Sequence, residues 1–280
     1  MERNNNDNQF NILAKYYDVL NYNADYKKVA GYIEDVFEIY QKKPNLILDL
    51  ACGTGDLTIE LDKRKYDMTG LDISVEMLSA AMSKAVSKNQ NTILWINQDM
   101  RSFELYGTVD AVICCFDSLN YILEEENIEK CFKSVYNYLN PGGLFVFDVN
   151  SKYKFEHTYA DNDIILENGG VFCSWRNSCK KYKYNNKNKE EIACDFYLTL
   201  FVMDGETEEI YKRYDETLKQ KYYDAAYLED ILAKIKFENI NIYYDFSADK
   251  NNKDKVEEKE KDIKKKGQKK ERICFAALKK

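Results

Sequence analysis

The stretch Leu46-Ile47-Leu48-Asp49-Leu50-Ala51-Cys52-Gly53-Thr54-Gly55-Asp56-Leu57-Thr58 decides the fold of this chain. Its first five residues are a short apolar run with one acid, and a helix-forming stretch follows the two glycines. This order predicts a buried strand, a tight loop and the start of a helix. Gly53 and Gly55 have no Cβ, so a ligand can approach the loop backbone closely.

A second acid occupies a comparable position further along the chain. The apolar run from Tyr66 to Leu71 is followed directly by Asp72. In nucleotide-binding α/β folds, an acid at the tip of the second strand binds the ribose hydroxyls. Together the two stretches indicate a ligand that contains adenosine.

The first loop also discriminates between adenosine ligands. A dinucleotide site has Gly-x-Gly-x-x-Gly and a helix N-terminus that faces a pyrophosphate. Here Asp49 and Asp56 flank the loop and would repel phosphate, so NAD and FAD fit poorly and an oxidoreductase is disfavoured. No Gly-Lys-Ser/Thr follows the glycines, which excludes a phosphate-binding P-loop. A ligand with a cationic amino-acid end fits better, because Asp49 could lie beside its ammonium group.

At this point the chain resembles the class I S-adenosylmethionine-dependent methyltransferases. Asp49-x-Ala51-Cys52-Gly53-Thr54-Gly55 is similar to the first motif of that family, with alanine at a position often held by glycine. Four further segments resemble its later motifs in the same order: 70–78, 98–100, 109–116 and 141–143. Upstream, residues 14–20 resemble the tyrosine-aspartate segment that often covers the cofactor in small-molecule members.

The resemblance implies S-adenosylmethionine (SAM) as the cofactor and assigns roles at the strand tips. Asp49 would lie beside the methionine ammonium, Asp72 would bind the ribose, and Asp99 would contact the adenine. The complete set of cofactor-binding residues implied is Tyr17, Asp49, Ala51, Cys52, Gly53, Asp72, Ile73, Met77, Asp99, Met100 and Cys115.

The rest of the pattern predicts an α/β fold. We expect a Rossmann-like, doubly wound, seven-stranded sheet, mostly parallel with the last strand antiparallel, and a small antiparallel β-sheet insertion. Strand patterns lie near 46–50, 66–71, 92–97, 109–115 and 143–148, and helical patterns near 25–41, 55–64, 74–88 and 124–139. The insertion is predicted from extended segments at 171–184, 191–203 and 208–222, which are joined by turns at 185–188 and Asp204-Gly205. The closing strands of the main sheet are predicted at 240–246 and 272–278.

This pattern suggests a division into parts. Residues 1–150 and 224–280 are predicted to form the SAM-binding methyltransferase domain, and 151–223 an inserted antiparallel lid over the substrate. Residues 249–270 hold ten lysines and six acids, so we expect a charged, disordered loop there.

Composition restricts the partners. The net charge of −7 and the pI near 5.1 make nucleic acid or an anionic membrane an improbable partner. Without a signal peptide or an apolar run of ~20 residues, the chain is predicted to be cytoplasmic. The eight cysteines include no Cys-x-x-Cys pair and accompany a single histidine. We therefore expect no metal site, and mainly reduced thiols in the core rather than disulfides.

The catalytic residues stay open. Methyl transfer is an in-line displacement in which positioning can supply roughly 7–11 kcal/mol, so a base is required only for a protonated nucleophile. The candidates are Asp117, Tyr121 and His157. Asn120 is a further candidate for the acceptor pocket, and Arg176 and Arg213 could bind an anionic acceptor.

The sequence therefore predicts a methyltransferase that acts on a small-molecule acceptor. The alternatives are an RNA or other macromolecule methyltransferase, and a non-catalytic SAM-binding regulatory protein. The acceptor, the atom that receives the methyl group and the oligomeric state are left open.

Overall fold

A computed structural model describes residues 12–183, 190–204, 210–248 and 269–280. The turn predicted at 185–188, Gly205 of the turn predicted at Asp204-Gly205, and nearly all of the charged loop at 249–270 lie outside the described residues. No helix in the described part of the chain combines the length and the apolar character needed to span a membrane.

The described residues form six α-helices and eleven strands. The helices are α1 (Leu13–Leu20), α2 (Tyr26–Ile39), α3 (Asp56–Lys63), α4 (Val75–Ser87), α5 (Glu125–Tyr138) and α6 (Ala225–Lys234). The strands are β1 (Leu46–Leu50), β2 (Asp67–Asp72), β3 (Leu94–Asn97), β4 (Val109–Cys114), β5 (Leu139–Asn150), β6 (Asp163–Asn168), β7 (Val171–Lys183), β8 (Glu190–Met203), β9 (Tyr211–Lys221), β10 (Phe237–Tyr244) and β11 (Arg272–Lys279).

Seven strands form the main sheet, in the order β10-β11-β5-β4-β1-β2-β3. Neighbouring pairs are parallel except at β11, which is antiparallel to both β5 and β10. The predicted fold class is thus confirmed. The order changes direction between β1 and β4, and ligands of open α/β sheets bind at such a point, beyond the carboxyl ends of the strands.

Helices cover both faces of this sheet. One face packs against α5 and α6 through side chains that include Phe132, Phe145 and Leu228. The other face packs against α2 and α3, with Val36 and Leu57 fully or almost fully buried. Both faces are buried, which explains why the strands read as continuous apolar runs rather than as alternating patterns.

The second sheet has four antiparallel strands in the order β6-β7-β8-β9. The prediction of an antiparallel insertion is confirmed, although the sequence analysis missed β6. Directly opposite one another on β7 and β8, Cys179 and Cys194 form a disulfide bond. This pair is an exception to the prediction of mainly reduced thiols. The other six cysteines are free, and five of them are buried.

Candidate active site

A cavity of about 450 Å³ opens at the carboxyl ends of the central strands. Its wall is built from the ends of β1, β2 and β4 on one side and from β6, β7 and β9 of the second sheet on the other, with α1 between them. The volume falls within the range of small-molecule and cofactor sites.

Asp72 organises the glycine loop at one end of the cavity. The side chain lies at the end of β2 and is 8% exposed. Its two carboxylate oxygens accept hydrogen bonds from the backbone N–H of Gly53 and of Ser74, each at 2.8 Å. Burial raises the pKa of Asp72, and these backbone N–H groups oppose that shift. Asp72 thereby connects the tip of β2 to the loop that follows β1.

Asp49 lies at the end of β1 as a buried carboxyl group. It accepts a hydrogen bond of 2.6 Å from Thr58 Oγ1. No cation of the described residues forms an ion pair with it. Burial raises the pKa of Asp49 to about 7, the Thr58 hydrogen bond lowers it, and the nearby Asp72 raises it further.

Gly55 of the glycine loop and Gly70 of β2 both pack against one indole ring, that of Trp95. A Cβ added at Gly70 would lie 2.5 Å from Trp95, and one added at Gly55 would lie 2.6 Å from the same ring. Gly55 also has a φ of +76°, which disfavours other residues. The two glycines therefore allow Trp95 of β3 to pack beneath the loop.

Helix α1 closes the cofactor end of the cavity. Asp18 accepts a hydrogen bond of 2.6 Å from Thr54 Oγ1 and forms an ion pair of 2.6 Å with Lys84 of α4. The Val19 carbonyl of the same helix accepts a hydrogen bond from Asn168 of β6. Tyr17, also on this helix, lines the cavity. The helix thus joins the glycine loop to the second sheet.

The end of β4 is held by a network of charged side chains. Phe116 and Asp117 have φ angles of +61° and +56°, and their backbone N–H groups donate to Asp148 at 2.6 and 3.0 Å. Arg272, the first residue of β11, forms ion pairs of 2.6 Å with both Asp117 and Asp148. Gln220 donates to the second oxygen of Asp117 at 2.6 Å. The network fixes a backbone conformation that few residues adopt unaided.

The charges of this network also determine the protonation state of Asp117. Burial raises its pKa, but the Arg272 and Lys154 charges and the Gln220 hydrogen bond lower it by more. The pKa of Asp117 is therefore below its usual value, and the carboxylate stays ionised at neutral pH.

The structure brings the residues of the predicted cofactor site together. All eleven of them line the cavity, as do the acceptor-side candidates Asp117 and Tyr121. Their individual roles remain predictions. Asp99 lines the cavity while bonded to Arg101, its neighbour on the same loop.

Four other candidates lie elsewhere. His157 is exposed and stacks on Tyr153 with ring centroids 4.5 Å apart, outside the cavity wall. Asn120 is buried and does not line the cavity, because its side chain bonds to the Lys221 carbonyl and the Asn150 backbone N–H.

The two arginines lie on the exposed face of the second sheet. Arg176 pairs with Asp163, and Arg213 pairs with Asp215. Neither arginine lines the cavity.

Sequence reasoning missed three residues of the site: Asp148, Lys154 and Arg272. Lys154 and Arg272 line the cavity, and Asp148 lies behind its wall. Asp148 is an acid within the otherwise apolar run Phe145–Val149, and that pattern could have drawn attention to it. Nothing in the sequence pairs it with Arg272, 124 positions away.

The fold is that of class I SAM-dependent methyltransferases, and the comparisons agree. A family described as "Methyltransferase domain" matches residues 47–143. YqeM of Bacillus subtilis (strain 168), a protein named as a methyltransferase, is 33% identical over 235 residues, which are 84% of this chain and 88% of that protein. The chain belongs to this methyltransferase family.

Two further comparisons extend the likeness. The crystal structure of a SAM-dependent methyltransferase from Clostridium acetobutylicum ATCC 824 superposes with a TM-score of 0.76, at 30% identity, over 96% of this chain and 98% of that one. A dTDP-3-amino-3,4,6-trideoxy-alpha-D-glucopyranose N,N-dimethyltransferase from Streptomyces venezuelae is 29% identical over 162 residues, 56% of this chain and 65% of that protein.

SAM is the cofactor of this family, and two features of the cavity suit it. The space before Gly53 is open, since a Cβ added there would meet no atom within 4 Å. Asp49 contributes a buried carboxylate that lacks a cation among the described residues, and an ammonium group would complement that charge.

Proposed function

We propose that this enzyme transfers the methyl group of SAM to an amine nitrogen of a small molecule. The observation that carries the proposal is that one cavity of about 450 Å³ is lined by both sets of residues. It is lined at one end by the residues of the predicted cofactor site and at the other by Tyr121, Trp175 and Leu218. Cofactor and acceptor would therefore share one chamber beneath the second sheet, from which bulk water is kept away.

The choice of nitrogen is supported by a relative. The Streptomyces venezuelae protein is named as an N,N-dimethyltransferase of an amino sugar, and the matched part covers more than half of this chain. This relative supports nitrogen as the accepting atom and identifies no particular acceptor.

At the cofactor end we assign holding roles to four residues. Asp49 would pair with the ammonium group, Asp72 would accept hydrogen bonds from the ribose, the Gly53 backbone would line the methionine part, and Tyr17 would cover it. When bound, SAM supplies a methyl group activated by a positively charged sulfur. What these residues contribute is the alignment of that methyl group with the acceptor, the main source of rate in such a displacement.

Asp117 is the best-placed side chain to orient the amine. It lines the cavity directly after β4 and stays ionised, so it can accept an N–H hydrogen bond in addition to those from Gln220 and Arg272. Its lowered pKa makes it a poor proton acceptor. We therefore expect the amine to arrive neutral and Asp117 to position it rather than to deprotonate it.

Incubation of the purified protein with methyl-labelled SAM tests the proposal. The acceptors would be a pool of small amines, including amino acids and amino sugars, with total RNA and denatured protein in parallel reactions. Label that appears on a small amine supports the proposal. Label confined to RNA or protein would overturn it in favour of a macromolecule methyltransferase. Saturable SAM binding with no transfer to any pool would instead favour a regulatory binding protein.

A further inference from the structure

The acceptor end of the cavity lies on the β5 and β11 side of the sheet. The predicted cofactor residues follow β1, β2, β3 and β4, whereas Lys154 follows β5 and Arg272 begins β11. Trp175 belongs to β7 and pairs in register with Ile164, which lines the same cavity. Lys154 and Trp175 thus lie where the acceptor would bind if the proposed function holds.

The acids that face Lys154 are already engaged with other groups. They are Asp117, Glu271 and Asp148. Asp117 and Asp148 both pair with Arg272, and Asp148 also accepts two backbone N–H groups. Glu271 accepts a hydrogen bond of 2.8 Å from Thr158 Oγ1.

Two hydrogen-bond donors at this end have no acceptor of their own. Among the described residues, the Lys154 ammonium makes no ion pair or hydrogen bond. Its Nζ lies over the face of the Tyr159 ring, 5.2 Å from the ring centroid. Trp175 Nε1 is buried and has no hydrogen-bond partner within the described part of the chain. A buried donor such as Trp175 Nε1 is costly unless a ligand or water accepts its hydrogen bond.

We propose that Lys154 and Trp175 form a subsite for an anionic oxygen group, a carboxylate or a phosphate, on the methyl acceptor. Such a group is charged opposite to Lys154 and accepts hydrogen bonds from both donors. The apolar wall beside it, formed by Ile164, Leu166 and Leu218, suits a carbon skeleton between that group and the reacting amine. The acceptor class is therefore an amine that also carries an acid.

Burial and the neighbouring Arg272 charge lower the pKa of Lys154, whereas the surrounding acids raise it. A bound anion would raise the pKa of Lys154 and so favour the protonated form. Ligand binding and the charge of Lys154 therefore support each other.

Calorimetry on the protein loaded with S-adenosylhomocysteine tests this subsite. The probes are cyclohexaneacetate, its neutral isostere cyclohexaneacetamide, and cyclohexyl phosphate. We expect at least one anion to bind about tenfold more tightly than the amide, because only the anion forms a charged hydrogen bond with Lys154. Whether the carboxylate or the phosphate binds more tightly identifies the acid that the subsite accepts.

Variants assign the preference to Lys154. Lys154→Met should bring the anions and the amide within about twofold of each other, and Lys154→Arg should retain the preference because the charge is kept. Lys152→Met, which changes a lysine outside the cavity wall, is the matched control and should behave as the wild type. Equal binding of anions and amide by the wild type, no binding of any probe, or a preference unchanged in Lys154→Met overturns the subsite.

The test is independent of the proposed function. Transfer of label to neutral amines without any anion preference would refute the subsite alone. An anion preference in a protein that never transfers a methyl group would refute the proposed function alone.

Discussion

The buried carboxyl group of Asp49 gives cofactor binding a pH dependence. Its pKa of about 7 lies far above the ordinary value because burial disfavours the charged form. Since a cationic ammonium binds the ionised form, we expect the Kd for SAM to increase as the pH falls from 7.5 to 6, approaching about tenfold per unit below the pKa. Isothermal titration calorimetry across that range measures the effect.

The Asp49→Asn variant is the control for this prediction. It cannot ionise, so its SAM affinity should be weaker than that of the wild type at pH 7.5 and nearly constant down to pH 6. A wild-type affinity independent of pH over the same range would contradict the placement of the ammonium beside Asp49.

Replacement of Asp72 tests the ribose site. Asp72→Ala removes the proposed acceptor for the ribose hydroxyls and the bond to the Gly53 N–H, so SAM binding should weaken by roughly 1–3 kcal/mol. Asp67→Ala, at the exposed start of the same strand, should leave the affinity unchanged. If both variants bind SAM as the wild type does, Asp72 has no part in cofactor binding.

For individual residues, the sequence predicts their position in the fold where a local motif specifies it. Asp49, Gly53 and Asp72 could be placed at one site because consecutive parallel strands bring their carboxyl ends to one sheet edge. Lys154 and Arg272 could not be placed together from the sequence. Their proximity to each other depends on β11 lying between β5 and β10, and no local pattern encodes that order.

The elements of the main sheet pack so closely that two glycines are required beneath the cofactor loop. A Cβ at Gly70 would lie 2.5 Å from two atoms of the Trp95 ring and 3.1 Å from Cys52 Sγ. Gly70→Ala should therefore force the indole to shift and lower the free energy of unfolding by about 1–3 kcal/mol. Urea denaturation followed by circular dichroism measures the change.

Gly31→Ala is the matched control for that substitution. Gly31 lies inside α2, and a Cβ there would meet no atom within 4 Å. Alanine favours the helix by roughly 0.5–1 kcal/mol, so this variant should be as stable as the wild type or more so. A Gly70→Ala protein with unchanged stability would mean that Trp95 does not pack against β2 as described.

The elements differ in how far the sequence specifies them. The strands β1, β4 and β5 were predictable because they are buried on both faces and contain apolar runs. Strand β6 was missed because it is short, with an exposed Ile165 at the edge of the second sheet. The signal was present: Gly169 and Gly170, with φ angles of +55° and +77°, form the two-residue turn between β6 and β7. The disulfide depends on the register of β7 with β8, which cysteine spacing does not specify.

A network of buried side chains beside the cavity connects the main sheet with the second sheet. Arg272 links the last strand of the chain to Asp148 of β5 and to Asp117 after β4. On the opposite side, Gln220 of β9 donates to Asp117 and accepts from Asn150. One buried network therefore couples the main sheet, the second sheet and the cavity wall, so damage to it should affect stability and the site together.

Removal of the central cation tests this coupling. Arg272→Met leaves Asp117 and Asp148 buried without their ion-pair partner, which typically costs about 3–5 kcal/mol of unfolding free energy at neutral pH. In the wild type, Arg272 lowers the pKa of Asp117, a stabilisation that is present above the unfolded pKa and lost as the pH falls. Burial already raises the pKa of Asp148 in the wild type, and Arg272 opposes that shift. Without Arg272 the pKa of both acids should be higher than in the wild type, so the deficit of the variant should shrink between pH 7.5 and 5.5. Urea titrations at the two pH values measure it.

Two variants decide what the result means. Arg272→Met/Asp148→Asn removes one of the uncompensated charges and should recover part of the lost stability at pH 7.5. Arg176→Met breaks an ion pair whose side chains are 70% and 56% exposed, so it should change the stability by no more than about 0.5 kcal/mol. If Arg272→Met is no more destabilising than Arg176→Met, or if its deficit grows towards pH 5.5, the buried charges do not hold the two sheets together.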